Sequence, residues 1–486
     1  MKLRSRAWVL TVVLWVGMSV PVDSATPANP KVVHVLNRLS LGMRPGDIQK
    51  VEAMGIDRYI QQQLSPESMP ETPALTKQLA QLNTLSMSPV ALAQQFRPVG
   101  QGQVKQAQQK PNQQFARTTM QQAVEARLLR ATESDRQLQE SMVDFWFNHF
   151  NVFSGKGLTR VWVGAYEQKA IRPNTMGRFR DLLEATARHP AMLFYLDNWQ
   201  NTDPKSPGAR GRFQGLNENY ARELLELHTL GVDGGYTQQD VIALAKILTG
   251  WGFRRTVQPV AQATDNDNGF YFDAKRHDFS DKVFLGRTIK GSGIAEVEQA
   301  FDILAKHPAT ARRISYKLAQ YFVADQPPKA LVDKMAQRFT ATDGNIREVL
   351  STLFRSAEFM DSKHYNAKFK TPYQYVVSAY RATGSEVSSP VVVQNVLQQL
   401  GMPLFGCQTP DGYKNTQAAW LNPDGMTRRL SFATTFSKLP SQSVNAVQLA
   451  QTVGDRFSTQ TQQAIASSPP QLRTAIILGS PEFMRR

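Results

Sequence analysis

Histidines and acidic residues that lie close together along the sequence are the best candidates in this chain for catalysis or metal binding. The 486 residues include only seven histidines. Imidazole and carboxylate groups act as general acids and bases, and a mixed set of them can bind a divalent metal such as zinc, iron or manganese. The metal hypothesis takes His149, His228 and Glu223 as ligands. The candidate catalytic residues are His149, Glu218, Glu223, His228, His277 and Asp278.

Each candidate also has a purely structural interpretation. His149 lies in DFWFNHF (144–150), where a histidine among aromatic side chains is either a satisfied core residue or a base whose burial lowers its pKa. His228 has the same two interpretations. His277 and Asp278 precede Lys282 in a polar loop, where Asp278 either serves a site or bonds local backbone N–H groups. These alternatives remain open at the level of sequence.

Motifs that would decide between these interpretations are missing from the sequence. It contains no HExxH, no pair of helical ExxH motifs, no CxxC, no GxSxG and no phosphate-binding glycine loop. The metal hypothesis therefore rests on residue types and not on ligand spacing.

The stretch from Asn217 to Trp251 has to position several of the candidates. Its pattern predicts two helices joined by a tight turn, with Gly231 in the left-handed conformation just past the first helix. Thr237 and Asp240 form a capping box at the start of the second helix. The recurrence of Val241, Leu244, Ala245 and Leu248 indicates that this second helix buries one face.

Two polar residues, Asn217 and His228, fall near the middle of the apolar face of the first helix. A buried polar side chain without a partner costs about 1–3 kcal/mol, so both should find partners. We expect His228 or Glu223 to lie within side-chain reach of His149 or of the loop at 277–282.

Three further residues are expected to organise the site. Arg222 can pair with Glu218 or Glu226 four residues away, although a surface pair of this kind contributes less than about 1 kcal/mol. The organising residues are Asn217, Arg222 and Lys282.

The N-terminus predicts export. Lys2, Arg4 and Arg6 precede an apolar run from Ala7 to Val20, as in a Sec-type signal peptide at 1–24 with cleavage near Ser24. The mature protein would be periplasmic or secreted, without a transmembrane segment. The predicted organisation after it is an N-terminal helical segment at 25–97, a Gln-rich flexible loop at 98–114, and a main helical domain at 115–486 with the central helix pair at 216–251.

Composition and periodicity predict a mainly α fold, a large multi-helix globular domain with one small β-hairpin. The hairpin is assigned to Phe270–Phe272 and Val283–Ile289. The single cysteine, Cys407, excludes an internal disulfide. The net charge of +16 could attract an anionic extracytoplasmic polymer, but no nucleic-acid motif is present and export makes nucleic acid an unsuitable partner.

Several blocks of the sequence resemble domain-of-unknown-function family 1800 (DUF1800) of bacteria. The resemblance implies an exported, mostly helical protein that is often encoded beside a family 1501 protein, and it implies no activity. The blocks are 217–251, DFWFNHF (144–150), RHPAMLFYLDN (188–198), HDFSDKVFLG (277–286), HPATARRISYKLAQYFV (307–323) and the final SPEFMRR.

Two functions are compatible with the sequence. One is an extracytoplasmic enzyme, a metal-assisted or acid/base hydrolase or an oxidoreductase, and polar residues in an apolar stripe favour it. The other is a non-catalytic scaffold that binds the co-encoded family 1501 protein, which the basic charge and the missing motifs favour.

Overall fold

The structure is a computed structural model that describes residues 28–96, 106–254, 268–439 and 445–486. These residues form 24 α-helices, as the helical periodicity of the sequence predicts. The mainly α fold class is confirmed. The predicted signal peptide at 1–24 lies outside the described residues.

The first twelve helices are α1 (Pro30–Leu39), α2 (Asp47–Met54), α3 (Ile56–Gln63), α4 (Pro73–Ala80), α5 (Pro89–Gln95), α6 (Gln106–Glu133), α7 (Gln137–His149), α8 (Thr159–Tyr166), α9 (Phe179–Ala187), α10 (Pro190–Tyr195), α11 (Glu218–Glu223) and α12 (Gln238–Ile247). The other twelve are α13 (Ala295–Lys306), α14 (Pro308–Phe322), α15 (Lys329–Ala341), α16 (Ile346–Phe354), α17 (Ala357–Met360), α18 (Pro372–Thr383), α19 (Pro390–Gln399), α20 (Gln417–Trp420), α21 (Pro423–Phe436), α22 (Ala446–Thr452), α23 (Thr459–Ser467) and α24 (Pro470–Gly479).

The aromatic helix α7 lies in the core. Trp146 and Phe150 are fully buried, and the indole N–H of Trp146 donates a hydrogen bond to the Thr175 carbonyl at 2.9 Å. Helices α1, α3 and α6 pack against α7. The polar residues at the end of α7 are therefore held inside the protein by aromatic packing.

The N-terminal helices belong to the same core. The ring of His34 on α1 hydrogen-bonds the Phe359 carbonyl at 2.9 Å, and the Leu41 N–H donates to the Gln137 side chain on α7 at 3.1 Å. The segment predicted at 25–97 is helical where described, and these contacts attach it to the main domain.

The boundary predicted at 98–114 needs a correction. Helix α6 already begins at Gln106, so residues 106–114 are helical and not part of a loop. Gln, Ala and Lys are good helix formers, and the helix continues into the buried region, so a stretch poor in apolar residues can still be helical. Residues 97–105 lie outside the part of the chain that the structure describes.

The strands form two separate two-stranded antiparallel sheets. Strand β1 (Trp251–Phe253) pairs with β2 (Phe270–Phe272), and β3 (Lys282–Phe284) pairs with β4 (Arg287–Ile289). The predicted small hairpin is present, but the predicted partners were wrong. Val283–Ile289 folds back on itself because Leu285 and Gly286, both at positive φ (48° and 72°), make a two-residue turn.

The central helix pair follows the predicted caps. Gly231 has a φ of 92°, and Thr237 and Asp240 form the capping box of α12. A π-helical turn at Leu224–His228 follows α11 without a break. The pair was predicted to end at Trp251, but α12 ends at Ile247 and Trp251 begins β1.

Helix α14 begins where His307 caps it. The His307 Nδ1 accepts the Ala309 N–H at 3.1 Å, and Pro308 occupies the first turn, where no N–H is needed. His189 caps α10 in the same way through the Ala191 N–H at 3.2 Å. Both histidines therefore cap a helix.

Candidate functional site

His149 and His228 meet where α7 and the π-turn end. The His149 Nε2 lies 3.1 Å from the His228 carbonyl oxygen, and the two ring centroids are 6.2 Å apart. A carbonyl at the end of a helix has no acceptor role inside the helix, so it is available to an outside donor. Because a carbonyl only accepts hydrogen bonds, the hydrogen of His149 must be on Nε2.

Lys317 on α14 is hydrogen-bonded to the other nitrogen of the His149 ring. Its Nζ lies 2.7 Å from the His149 Nδ1. With the hydrogen on Nε2, Nδ1 carries the lone pair, so Lys317 is the donor in this bond. Burial and the nearby Lys317 charge hold the pKa of His149 well below its usual range. His149 is therefore a neutral acceptor that orients the amine of Lys317.

The pKa of Lys317 is lowered to about 7, first by burial and then by the neighbouring charges of Arg313 and Lys414, with Asp411 acting in the opposite direction. Within the described residues, Lys317 has no ion pair with a carboxylate, and its bond is to the His149 ring. A lysine with this pKa is partly a neutral amine at pH 7, whereas an ordinary lysine is fully charged.

Lys317 lines a cavity of about 300 Å³. This volume is at the lower end of the range for small-molecule sites. Helix α14 contributes residues at helical spacing that share one face, while Ile314 and Leu318 of its opposite face are fully buried. The lining residues are Asp144, Phe145, Asn148, His149, Leu227, Arg313, Tyr316, Lys317, Gln320, Tyr321, Thr371, Met402, Asp411, Tyr413, Lys414 and Asn415.

The irregular chain between α19 and α20 forms one wall of the cavity, and Asn148 of α7 holds it. The Asn148 side chain accepts the Tyr413 N–H at 2.7 Å and donates to the Tyr413 carbonyl at 2.8 Å. Gly412, at a φ of 72°, lies so close that an added Cβ would be 2.2 Å from the Asn148 carbonyl oxygen. These contacts place Tyr413 and its neighbours Asp411 and Lys414 at fixed positions.

A buried charge network underlies the cavity. The Asp144 carboxylate accepts from Arg127 at 2.9 Å and from the Tyr321 hydroxyl at 3.1 Å, and Arg127 also binds Glu167 at 2.7 Å. Burial raises the pKa of Asp144, and Arg127 opposes this effect. The Tyr321 hydroxyl is 3.2 Å from the Gln374 amide nitrogen as well. Each polar group of this network is satisfied by another, which makes it a support for the site.

The predicted residues at 277–282 have other partners. His277 is bound to Glu296 at 2.9 Å and to the Thr249 carbonyl at 2.9 Å, and Lys282 binds Glu296 at 2.6 Å and the Asp278 carbonyl. None of these partners is among those of His149. His277 and Lys282 are 3% exposed, and the network packs β3 onto α13. Of the two contacts expected for the central helix, the structure has the one between His228 and His149 and not the one with the loop at 277–282.

The remaining predicted residues on α11 have local roles. Asn217 caps the helix through the Asn219 N–H and donates to the Asp197 carbonyl at 3.0 Å. Arg222 pairs with Glu218 at 3.3 Å and with Glu226 at 3.8 Å on the surface. Burial, together with Glu226 and Asp411, raises the pKa of Glu223.

The metal ligands that the sequence suggested do not converge. Both ring nitrogens of His149 are engaged, one as a donor and one as an acceptor, and its nearest charged neighbours are the cations Lys317 and Arg313. In the part of the chain that the structure describes, no three His, Cys, Asp or Glu side chains are grouped as ligands for a metal ion. His149, His228 and Glu223 therefore do not form the predicted metal site.

The sequence reasoning missed the residues of α14 and of the 401–416 wall. Arg313, Lys317 and Tyr321 recur every four residues, so they share one helix face, and this spacing was a usable signal in HPATARRISYKLAQYFV. Their convergence on His149 was not visible, because it depends on how α7 and α14 pack.

Comparison with known proteins identifies the family but no function. No helix among the described residues is both long and apolar enough to span a membrane. No curated protein and no solved structure matches the chain. Residues 34–485 match the family model described as "Protein of unknown function (DUF1800)". Because the match covers nearly the whole sequence, this chain belongs to the DUF1800 family.

Proposed function

We propose that the chain is an extracytoplasmic hydrolase of the acid/base type, in which Lys317 is the general base. The observation that carries this proposal is the position of the Lys317 amine, 2.7 Å from the neutral His149 ring on the wall of a cavity of about 300 Å³. A general base works best when its pKa lies near the operating pH. Lys317, with a pKa of about 7, meets this condition.

The geometry also supports a direction for the proton transfer. Lys317 donates one N–H to His149 Nδ1, so the lone pair of the neutral amine remains free for another partner. In the proposed step, a water molecule in the cavity loses a proton to the Lys317 Nζ while its oxygen bonds to the electrophilic centre of the substrate. The ammonium then returns this proton to the leaving group, which leaves Lys317 neutral for the next turnover.

His149 is a positioning residue in this scheme. It accepts from the amine and stays neutral, because its own pKa is held well below its usual range by burial. Its Nε2–H is bound to the His228 carbonyl, which fixes the plane of the ring. The π-turn that presents this carbonyl is of the type often found at functional sites.

Of the reaction classes open from the sequence, acid/base hydrolysis fits these contacts best. The metal-assisted class required His149, His228 and Glu223 to act together, and their contacts do not bring them together. The oxidoreductase class has no side-chain arrangement in its favour among the described residues.

A hydrolysis screen with matched variants tests the proposal. The full mature chain is assayed on esters, amides and phosphoesters between pH 5 and 10, beside Lys317→Met and the surface variant Lys334→Met. We expect activity to rise with pH through a midpoint near the Lys317 pKa of about 7. Lys317→Met should lower the rate by about 10²–10⁴-fold, the usual contribution of a general base, without lowering the melting temperature. Activity that survives in Lys317→Met would refute the proposal.

The role of His149 is tested by a conservative change. His149→Gln keeps an acceptor for the Lys317 N–H, so partial activity should remain, with the midpoint of the pH profile displaced. A purely structural histidine would change the melting temperature without displacing this midpoint.

Export, the family 1501 partner and the anionic polymer remain predictions from the sequence. The proposal places the enzyme outside the cytoplasm on the strength of the N-terminal pattern at 1–24. The alternative function, a scaffold for the family 1501 protein, would be favoured if the screen gave no turnover and the mature chain bound that protein equally well with Lys317→Met.

A further inference from the structure

The charges that line the cavity are unequal once their existing partners are counted. Of its two acidic residues, Asp144 is bound to Arg127 at 2.9 Å, and Asp411 is bound to Lys414 at 2.6 Å. Neither carboxylate is left to neutralise Arg313 or Lys317. The cavity wall therefore carries an excess of positive charge, concentrated on one face of α14.

Arg313 is poorly satisfied for a guanidinium in a protein interior. Its only described hydrogen bond is a long one, from Nη2 to the Leu227 carbonyl at 3.4 Å, and its buried Nε has no partner among the described residues. Burial lowers the pKa of Arg313, although Tyr236 opposes this effect. Because unpaired buried donors are costly, this arrangement is explained if a ligand supplies the acceptor.

The absence of a side chain at Gly231 leaves space for the Arg313 guanidinium. Gly231, which ends the first helix of the central pair, lies beside Arg313, and an added Cβ would be 2.9 Å from Nη1. Arg313 and Lys317 are four residues apart on α14, so their side chains are neighbours on one helix face. Together they present a planar fork of donors and an amine to the same small volume.

We infer that the substrate of this cavity is a small molecule with a carboxylate or phosphate group, held by Arg313 beside Lys317. The inference rests on the proposed function, because it names the substrate class of the same cavity. Arginine binds both anions through paired N–H groups, which gives geometry as well as charge. The cavity volume of about 300 Å³ limits the ligand to a small molecule.

Anion binding should be linked to the proton on Lys317. Lys317 is faced by His149 and Asp144 of α7, by His228 of the π-turn, by Arg313, Tyr316 and Tyr321 of its own helix, and by Asp411, Tyr413 and Lys414 of the 401–416 wall. A negative charge added to this set favours the protonated amine. Binding should therefore be accompanied by proton uptake above pH 7.

Titration calorimetry on the full mature chain tests both parts of the inference. Acetate, succinate and inorganic phosphate are titrated at pH 8 and constant ionic strength, in two buffers with different heats of ionisation, with neutral acetamide as the control ligand. The variants are Arg313→Gln, Lys317→Met and Arg312→Gln. Arg312 is the matched control, since it is adjacent on α14 but exposed and paired with Asp333.

The expected result is binding of at least one anion, with net proton uptake in the native chain and none in Lys317→Met. Arg313→Gln should weaken binding by at least about 10-fold, and Arg312→Gln should leave it nearly unchanged. Equal weakening by both arginine variants, or equal binding of acetamide, would overturn the inference.

The remaining outcomes separate this inference from the proposed function. Anion binding without proton uptake in the native chain would support the substrate class and contradict the position of the bound anion beside Lys317. Absence of binding by all three anions, in a protein whose hydrolysis still depends on Lys317, would overturn the substrate class and leave the proposed function standing.

Discussion

Two histidine–lysine pairs occupy different environments in this chain: His277 and Lys282 are both buried, whereas Lys317, beside the buried His149, is half-buried. His277 and Lys282 share the carboxylate of Glu296, at 2.9 and 2.6 Å, and the same carboxylate accepts the N–H groups of Ser292 and Gly293 at 2.9 Å each. Burial alone would raise the pKa of Glu296, but the bonds from His277 and Lys282 lower it. Donors and acceptors are matched throughout this network.

His149 and Lys317 have no such carboxylate. The pair shares a single hydrogen bond, the amine faces a cavity, and Arg313, four residues earlier on the same face, is another cation. The comparison shows that the residue types alone do not distinguish a structural pair from a reactive one. The distinguishing features are the counter-ion and the open volume beside the amine.

Removal of the counter-ion should have the largest effect on stability. Glu296→Gln leaves Lys282 buried with only its longer ion pair to Asp278 at 3.8 Å, and breaking a buried pair costs about 3–5 kcal/mol. Denaturant unfolding at pH 7 measures this loss. If Glu296→Gln cost less than about 1 kcal/mol, as an exposed pair would, the contrast between the two regions would fail.

Acid should destabilise the side of the protein that contains His149 and His228. Burial, with Lys317 and Arg313, lowers the pKa of His228 from its ordinary value to about 3. The unfolded chain therefore binds more protons than the folded chain between pH 6.5 and 3, so the free energy of unfolding falls as pH decreases through this window. His228→Phe should make the fall shallower, as followed by thermal unfolding across the same pH range. An identical pH dependence in the variant would contradict this assignment.

Substitution of Lys317 should stabilise the fold, in contrast to Lys282. The pKa of Lys317 is about 7 when folded and higher when unfolded, so the unfolded chain holds the extra proton between these two values. Stability of the native chain therefore increases with pH through this window, and the cost of Lys317 is greatest below pH 7. Lys317→Met should raise the melting temperature at pH 6 and have little effect near pH 11.

Lys282→Met is the counterpart to this experiment. It removes the partner of a fully buried Glu296, so it should lower the melting temperature at pH 6. Stabilisation by both substitutions, or by neither, would remove the distinction drawn between the two lysines.

The smallest effect is expected on the surface of α11. Arg222 and Glu218, which the sequence placed near the site, are both more than a third exposed. Glu218→Gln should change the free energy of unfolding by less than about 1 kcal/mol. A loss as large as that of Glu296→Gln would mean that this surface pair has a structural role that its geometry does not show.

The sequence was enough to predict local features of the fold and the contact between His149 and His228. The cap at Thr237 and the left-handed conformation of Gly231 depend on neighbouring residues, so the sequence was sufficient for them. The meeting of His149 and His228 was expected because polar groups on buried faces need partners. The pairing within Val283–Ile289 was missed because Leu285 is an unusual residue for a turn at positive φ.

The contact between Lys317 and His149 depends on how distant helices pack, and no local sequence pattern encodes it. Lys317 lies 168 positions from His149 in the sequence, and nothing in either segment specifies the other. His277, Asp278 and Lys282 had favourable residue types, but Glu296, which binds His277 and Lys282, was not considered. A search for lysines whose pKa is lowered by burial and that lack a carboxylate partner needs the coordinates. It gives Lys317, beside the His149 ring, and also Lys370, which is bound to the Ser378 hydroxyl at 3.0 Å.

Competitive labelling of lysine amines as a function of pH is the most direct test of the central claim that Lys317 is a neutral amine near pH 7. Peptide mapping of one sample follows Lys317 beside the exposed Lys334 and the buried Lys282. The predicted result is half-maximal reactivity of Lys317 near pH 7, with Lys282 protected by burial. Titration of Lys317 together with Lys334 would contradict the account.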